Sequence, residues 1–173
     1  MQALPSREQA TAILRSNNCP DKVIRHCLDV ADFAIKIATK VRNRGYPVDV
    51  ELVEAGAVLH DLGRARSQGT DHSLVGAQMA NELGLPQSVV NIIKRHVGAG
   101  ITREEAQQMG WPEGVYEPQT LEEKIVGYAD KRLDHGKVIP IENEIEKLQK
   151  KGLAEGAERV RRLHDEITGL LGE

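Results

Sequence analysis

Residues 56–66 read GAVLHDLGRAR, and the organisation of the chain can be worked out from this stretch. Its small and apolar residues recur at helical spacing and lead along one face to His60, which is followed directly by Asp61. Asp49 is a suitable N-cap for this helix, and Gly63 is a suitable stop. The sequence therefore predicts a helix that places an imidazole and a carboxylate side by side at its C-terminal end.

Residues of the same two chemical kinds occur on other predicted helices or helix starts, and several lie on apolar faces. His26 shares a stripe with Val23 and Val30, whereas His96 shares one with Val89 and Ile93. Imidazoles and carboxylates that leave water need hydrogen bonds or a metal, and both suit divalent Fe, Mn, Co, Ni or Zn. The sequence predicts a shared metal site formed by His26, His60, Asp61, His72, His96 and Asp130.

The remaining segments also predict helices, and no segment predicts a strand. Thr102 with Glu105 and Thr120 with Glu123 match the capping box of a helix start. Aromatic residues make up only 3% of the chain, so the core must consist of aliphatic side chains, which favours packed helices. Further predicted helices run through about Arg15, from just after Pro20-Asp21 to Val41, from Asp71 or Ser73 to Leu83, from Pro86 to about Val97, and through the charged tail from Glu142.

The 173 residues are enough for one domain, 1–173, with a motif-bearing core of about 20–135. Helices over 140–172 are expected to close that core or to form a subunit contact in a homo-oligomer. The net charge of −3 gives no strong signal for binding to nucleic acid or anionic lipid, although it does not exclude a local basic patch. No leader or membrane-spanning segment is evident, which predicts a cytoplasmic protein. Cys19 and Cys27 are predicted to be free thiols.

The order of these residues resembles the HD superfamily of metal-dependent phosphohydrolases, especially its HDIG-like branch. That family has an early His, an adjacent His-Asp pair, one or two further His and a distant Asp. The segments GAVLHDLGRAR, HSLVGAQMANELG, IIKRHVGAG and EEKIVGYAD are similar to its successive blocks. HDIG becomes His60-Asp61-Leu62-Gly63 here, and the Lys that often follows is Arg64. Gly127-Tyr128-Ala129 is not the GYP motif of the cyclic-dinucleotide branch, so cyclic di-GMP is not the expected substrate.

The resemblance implies an all-α helical bundle with a metal site in its core. It implies that a first ion is bound by His26, His60, Asp61 and Asp130, with Asp61 able to bridge to a second. His72 and His96 would bind that second ion, and members that lack these two His are typically mononuclear. The expected cofactor is therefore a pair of divalent ions, with Fe, Mn, Co or Ni favoured over Zn or Mg.

The chemistry implied by the resemblance is attack on a phosphate ester by a metal-bound hydroxide. The expected substrate is a nucleotide or another small phosphorylated metabolite, as a monoester or a diester. The catalytic residues expected are Asp61, Arg64 as a phosphate clamp, and Lys131 as a further cation. Two alternatives remain open at this stage. One is a mixed-valent di-iron oxygenase on the same ligands, and the other is a nucleotide-binding module without turnover.

Overall fold

Helices make up most of the computed structural model, which describes residues 2–173. The prediction of an all-α protein is confirmed for these residues, with one small hairpin added. The helices are α1 (Arg7–Ser16), α2 (Asp21–Asn43), α3 (Val50–Leu59), α4 (His72–Glu82), α5 (Gln87–Lys94), α6 (Arg103–Gln108), α7 (Leu121–Lys131), α8 (Ile141–Lys150) and α9 (Ala154–Leu171). A 3-10 turn, Leu62–Ala65, follows α3, and strands β1 (Leu133–Asp134) and β2 (Lys137–Val138) pair in antiparallel fashion between α7 and α8.

The long helix α2 lies at the centre of the bundle, where it packs against α3 and α7. Its apolar residues recur at helical spacing, and their burial supplies much of the stabilisation of the fold. Aliphatic and small residues allow close approach between helices, as where Gly56 of α3 lies against Ile92 of α5. The residues of α2 that are buried are Ile24, Cys27, Val30, Ala31, Ala34, Ile37, Ala38 and Val41.

The C-terminal helices α8 and α9 pack on each other, and α9 also contacts α7 and α2. Their buried apolar residues include Ile145 of α8 and Val160 of α9. Arg159 of α9 donates to both carboxylate oxygens of Glu105 at 2.7 and 2.8 Å, which ties α9 to α6. In this structure the C-terminal helices close the core. No helix within residues 2–173 has the length and hydropathy needed to cross a membrane.

Two glycines let the 3-10 turn and α4 touch each other through their backbones. A Cβ atom on Gly63 would lie 1.8 Å from the carbonyl oxygen of His72, and one on Gly76 would lie 3.0 Å from the amide nitrogen of Gly63. Any larger residue at Gly63 would push the start of α4 away from the turn. The contact therefore places His72 beside the residues that end α3.

The helix boundaries differ from the predictions in two places that matter for the site. The segment predicted as helical to about Val97 ends at Lys94, so His96 lies in the loop after α5 rather than on the helix. His60 is the C-cap of α3, and Asp61 lies between that helix and the 3-10 turn. His60, Asp61 and His96 therefore all lie at or just beyond the end of a helix.

The two predicted capping boxes have different outcomes. At α6 the box is complete, because Thr102 and Glu105 each accept a hydrogen bond from the other's backbone amide. At α7 Thr120 caps the helix, but the carboxylate of Glu123 accepts from Arg95 at 3.0 and 3.1 Å instead of from the cap. Glu123 is buried, so this ion pair ties the end of α5 to α7.

Candidate metal centre

The six residues predicted as metal ligands meet at one place in the structure. Their donor atoms form two groups of three, and within each group all donor atoms lie within 4.8 Å of one another. We call these groups the first triad and the second triad. The first triad consists of His26 near the start of α2, His60 at the end of α3 and Asp130 near the end of α7. The second triad consists of Asp61, His72 at the start of α4 and His96 after α5.

The first triad joins three helices around one oxygen of Asp130. The Oδ1 atom of Asp130 lies 2.9 Å from Nε2 of His26 and 3.3 Å from Nε2 of His60. The side chain of His60 is fully buried, whereas that of His26 is 31% exposed. One side of this triad is therefore open to solvent and the other is closed by the core.

The second triad is more enclosed than the first. The Nε2 atoms of His72 and His96 lie 3.2 and 3.3 Å from Oδ1 of Asp61. The same two nitrogen atoms are 3.0 Å apart. All three residues of this triad are buried.

The carboxylate of Asp61 lies between the two triads and turns one oxygen to each. Its Oδ1 faces His72 and His96, while its Oδ2 lies 3.5 Å from Nε2 of His60 and 3.7 Å from Nε2 of His26. A carboxylate with this orientation can bridge two cations, one in each triad. The bridging position that the family resemblance implied for Asp61 is therefore geometrically available.

Backbone carbonyl groups orient three of the four imidazoles. The Nδ1 atoms of His60, His72 and His96 lie 2.6, 2.8 and 2.7 Å from the carbonyl oxygens of the residues three positions earlier. A carbonyl oxygen can only accept, so each Nδ1 carries the hydrogen. In the neutral ring, Nε2 is then left with a lone pair that points into the cluster, as metal-binding histidines require.

These lone pairs are a test of whether a metal fits the residues present. Nε2 of His60 is buried and has no hydrogen-bond partner among residues 2–173. Nε2 of His72 faces Nε2 of His96, and two lone pairs at that distance repel unless a cation or a proton lies between them. Each feature calls for a cation, either a proton or a metal ion, and a divalent ion in each triad would satisfy both. The donor set of nitrogens and carboxylate oxygens therefore fits a divalent metal.

The acid–base properties of the cluster also indicate that it attracts a cation. Burial alone raises the pKa of Asp61, but His60, His72 and His96 outweigh it and hold that pKa well below its usual value. Burial lowers the pKa of His60, but Asp61 and Asp130 raise it to well above the usual value. By contrast, burial dominates at His96 and lowers its pKa to about 4. Negative charge thus persists in the cluster and attracts a cation, which is a proton at His60 when no metal is bound.

Two cationic side chains flank the cluster, one at each triad. Nζ of Lys131 donates to Oδ2 of Asp130 at 2.6 Å and to the carbonyl oxygen of His96 at 2.9 Å. Burial raises the pKa of Asp130, but Lys131 and His26 together lower it to well below its usual value. Nε of Arg64 lies 3.9 Å from Oδ1 of Asp61 on the side of the second triad.

Cys27 also belongs to the cluster, which the sequence did not predict. Its sulfur can form a third group with His60 and Asp61, because the donor atoms of all three lie within 4.8 Å of one another. The residue is fully buried, and burial raises the pKa of its thiol. It therefore packs behind His60 as a neutral thiol. The available signal was its position next to His26, on the buried stripe of α2. Both cysteines are free, as predicted.

A cavity of about 470 Å³ opens onto the cluster and includes both flanking cations, Arg64 and Lys131. It is lined by His26, Asp61, His72, His96 and Asp130, whereas His60 lies behind them. The cavity extends past Ile139 to α8. Its size is within the range of small-molecule sites. A ligand in it would reach both triads.

Comparisons with known proteins agree with this arrangement. The family described as HD domain matches residues 23–133, which include all six predicted metal ligands. An uncharacterized protein of Methanocaldococcus jannaschii is 44% identical over 167 residues, which cover 95% of this chain and 98% of that protein. The tRNA (cytidine(56)-2'-O)-methyltransferase of Picrophilus torridus is 38% identical over 98% of this chain. The chain spans about half of that enzyme, with 48% covered.

Solved structures support the fold at lower sequence identity. The HD domain of the Listeria monocytogenes phosphodiesterase PgpH, in complex with cyclic-di-AMP, superposes with a TM-score of 0.58. The match covers 92% of this chain and 96% of that domain at 17% sequence identity. At that identity the likeness shows a shared fold.

Proposed function

The chain belongs to the HD domain family, and from that premise we propose that it is a metal-dependent phosphohydrolase. Its proposed substrate is a phosphate ester of a nucleotide or of another small phosphorylated metabolite. The observation that carries the proposal is the position of Asp61, whose two oxygens face two separate triads of metal-binding atoms. The solved HD domain of similar fold is a phosphodiesterase that binds a nucleotide ligand, which supports the same class of substrate.

We assign the six residues of the two triads to metal binding, to which Asp61 would contribute one oxygen on the side of each triad. When bound, divalent metal would supply a water of lowered pKa and would neutralise phosphate charge. The imidazoles are already oriented for this role, because backbone carbonyls fix their Nδ1 hydrogens. Lys131 keeps Asp130 ionised and in place, and its ammonium group has a third donor left for a phosphate oxygen.

Arg64 is proposed to bind the phosphate. Arg64 lines the cavity beside Asp61 and its side chain is 30% exposed, so a ligand can reach it. Nη1 of Arg64 donates to the carbonyl oxygen of Gln68 at 2.8 Å, which holds the side chain over the cavity. The remaining guanidinium hydrogens can pair with phosphate oxygens and stabilise charge that develops on them.

The methyl transfer named for the relative from Picrophilus torridus is not part of this proposal. This chain matches about half of that enzyme, so the name describes a longer protein. The features found in the described residues are a cluster of metal-binding side chains and a cavity with cationic walls. These features favour chemistry on a phosphate ester.

The proposal is tested by metal analysis of anaerobically purified protein together with an activity panel. Phosphomonoesters and phosphodiesters are each assayed with Mn, Fe, Co, Ni and Mg. We expect about two ions per chain and metal-dependent release of phosphate or alcohol from at least one ester class. Iron-dependent consumption of oxygen without ester hydrolysis would instead favour the oxygenase alternative. Tight nucleotide binding with no turnover of any ester would favour the binding module.

Replacement of Arg64 by Ala tests the phosphate clamp separately from the metals. We expect kcat/KM to fall about a hundredfold, as when one oxyanion donor is removed, while metal content stays the same. Arg66→Ala is the matched control, because Arg66 is an exposed arginine of the same turn that does not line the cavity. If Arg64→Ala had the kinetics of the control, the clamp role would be wrong.

A further inference from the structure

A second cavity, of about 620 Å³, opens onto the same metal cluster from another side. It runs towards the start of α2, past Lys22 and Arg25, and is bordered by the hairpin at His135. We call it the α2 arm, and we call the cavity that runs past Ile139 towards α8 the α8 arm. The residues common to both arms are His26, Asp61, Arg64, Leu133 and Asp134.

The two arms therefore meet at the metal cluster, which has consequences for the shape of the substrate. A phosphomonoester has one organic group on its phosphorus and needs one arm. A phosphodiester has two, and these leave the phosphorus in different directions. Each arm is by itself within the size range of small-ligand pockets. The site has room for an organic group on each side of a phosphorus atom bound beside Asp61.

The α8 arm continues as a shallow basic surface along one face of α8. This surface shares Asn143 and Lys147 with the cavity and extends to Lys150 and Lys151. These positions recur at helical spacing, so their side chains lie on one face. Each turn of that face extends the surface by about 5 Å along the axis of α8.

Cations outnumber acids along the whole path once the metal ligands are set aside. The acids are Asp29, Asp134, Glu144 and Glu146, and Glu144 is paired with Lys147 at 3.6 Å. The cations are Lys22 and Arg25 in the α2 arm, Arg64 at the junction, and Lys131, Lys147, Lys150 and Lys151 in the α8 arm and its extension. Both ends of the path are thus suited to negatively charged groups beyond the scissile phosphate, despite the net charge of −3 of the chain.

We propose that the substrate is a short linear oligonucleotide, bound with one of its phosphodiesters at the metal cluster and with further phosphates along both arms. The proposal rests on the phosphohydrolase function and names its substrate class. The step is hydrolysis: water adds to phosphorus, one P–O ester bond breaks, and the leaving oxygen takes a proton. The products are one strand with a phosphate end and one with a hydroxyl end.

The chemistry of the path favours a nucleic acid strand over other phosphorylated ligands. A phosphorylated peptide presents a monoester and would use one arm. A cyclic dinucleotide has only two phosphates, which leaves the lysines at the far end of α8 without a partner. No Trp, Tyr or Phe lines these arms within residues 2–173. Recognition should therefore depend on backbone phosphates more than on base stacking, and should be independent of sequence and sensitive to salt.

The first test measures binding as a function of strand length. Single-stranded oligonucleotides of two, three, five and eight residues, with phosphorothioates against cleavage, are titrated onto the metal-loaded protein and followed by fluorescence anisotropy. We expect affinity to rise about tenfold from the dinucleotide to the pentanucleotide and then to level off. A fourfold increase in salt should weaken pentanucleotide binding about tenfold, through the release of two or three counterions. Equal affinity at all lengths, or tighter binding of a cyclic dinucleotide, would overturn the proposal.

Charge variants test which surface is responsible. Lys150→Gln with Lys151→Gln should lower pentanucleotide affinity about fivefold and dinucleotide affinity much less, because only the longer strand reaches the end of α8. Lys36→Gln with Lys40→Gln is the matched control. Both residues are exposed on α2, Lys40 is in the last turn of its helix as Lys150 is, and neither lines these arms. Equal losses in the two double variants would refute the proposed path.

Hydrolysis of bis(p-nitrophenyl) phosphate by the same metal-loaded protein separates this proposal from the function on which it rests. If that ester is hydrolysed but binding does not depend on strand length, the phosphohydrolase function is retained and the oligonucleotide substrate is ruled out. If binding depends on strand length and requires Lys150 and Lys151, but no ester is hydrolysed, the proposed binding path is supported and the phosphohydrolase function is ruled out.

Discussion

The two triads of the metal centre differ in how they are built and in how far they are exposed. The first joins residues far apart in sequence, since His26 and Asp130 are separated by 104 positions, and its His26 is 31% exposed. The second is buried and is held by a backbone contact between Gly63 and α4. Asp61 is the side chain that faces both. If each triad holds an ion, as we propose, the first ion would face solvent, the second would be enclosed, and both would depend on the carboxylate of Asp61.

Replacement of Asp61 should remove metal from both triads. Among the variants considered, we expect it to have the largest effect on metal content and activity. In Asp61→Asn the volume is kept, but the neutral amide cannot bridge two cations as an anion does. Metal content should fall from about two ions per chain to nearly none, with loss of ester hydrolysis. Elemental analysis and the activity panel are the measurements. Asp71→Asn is the control, since Asp71 is an exposed aspartate outside both triads. Retention of both ions in Asp61→Asn would contradict the bridging role.

The sequence predicted the members of both triads because each belongs to a periodic helix or to an ordered motif. It did not predict how Asp61 divides its oxygens between them, since that depends on where His72 and His96 arrive in space. The end of α5 before His96 also depends on tertiary contacts: Lys131 binds the carbonyl oxygen of His96, and Arg95 pairs with Glu123. The hairpin was missed because two-residue strands are too short to show a period.

The second triad should be selectively sensitive to a change outside its ligands. Gly63→Ala forces a Cβ atom against the backbone of His72, which must move with the start of α4. We expect about 3 kcal/mol or more of lost stability, and loss of the second ion in the fraction that folds. Thermal unfolding and metal analysis are the measurements.

Gly169→Ala is the matched control for that variant. Gly169 lies in α9, and a Cβ atom there meets no heavy atom within 4 Å in the described structure. Alanine is preferred to glycine inside a helix, so this change should be neutral or should stabilise by up to about 1 kcal/mol. Equal destabilisation by the two variants would show that the contact at Gly63 is not special.

Replacement of a histidine in only one triad should leave one ion bound. The triad that keeps the ion should depend on which histidine is replaced. His72→Ala should keep the ion of the first triad, whereas His26→Ala should keep that of the second. With Co²⁺ bound, the Nδ1 hydrogens of His60 and His96 can report the position of the ion through paramagnetically shifted proton resonances, because both are held by backbone carbonyls. We expect the His60 signal alone to remain in His72→Ala, and the His96 signal alone in His26→Ala. Loss of both signals in either variant would show that the ions bind only as a pair.

The smallest effect we expect is a difference in pH dependence between the two ions. The pKa of His60 is raised well above its usual value of 6.5, chiefly because Asp61 outweighs the effect of burial, so without metal it carries a proton near neutral pH. That proton must leave before Nε2 can bind the first ion. Affinity there should therefore rise about tenfold per pH unit until the pH passes the pKa of His60.

The pKa of His96 is about 4, so this ligand of the second triad has no proton to release near neutral pH. Titration of His26→Ala, which retains the second triad, should show a weaker pH dependence of metal binding than His72→Ala, which retains the first. Calorimetry in buffers of different ionisation enthalpy counts the protons released in each variant. Equal proton release in both would mean that His60 does not distinguish the triads, and that the exposure of His26 is the main difference between them.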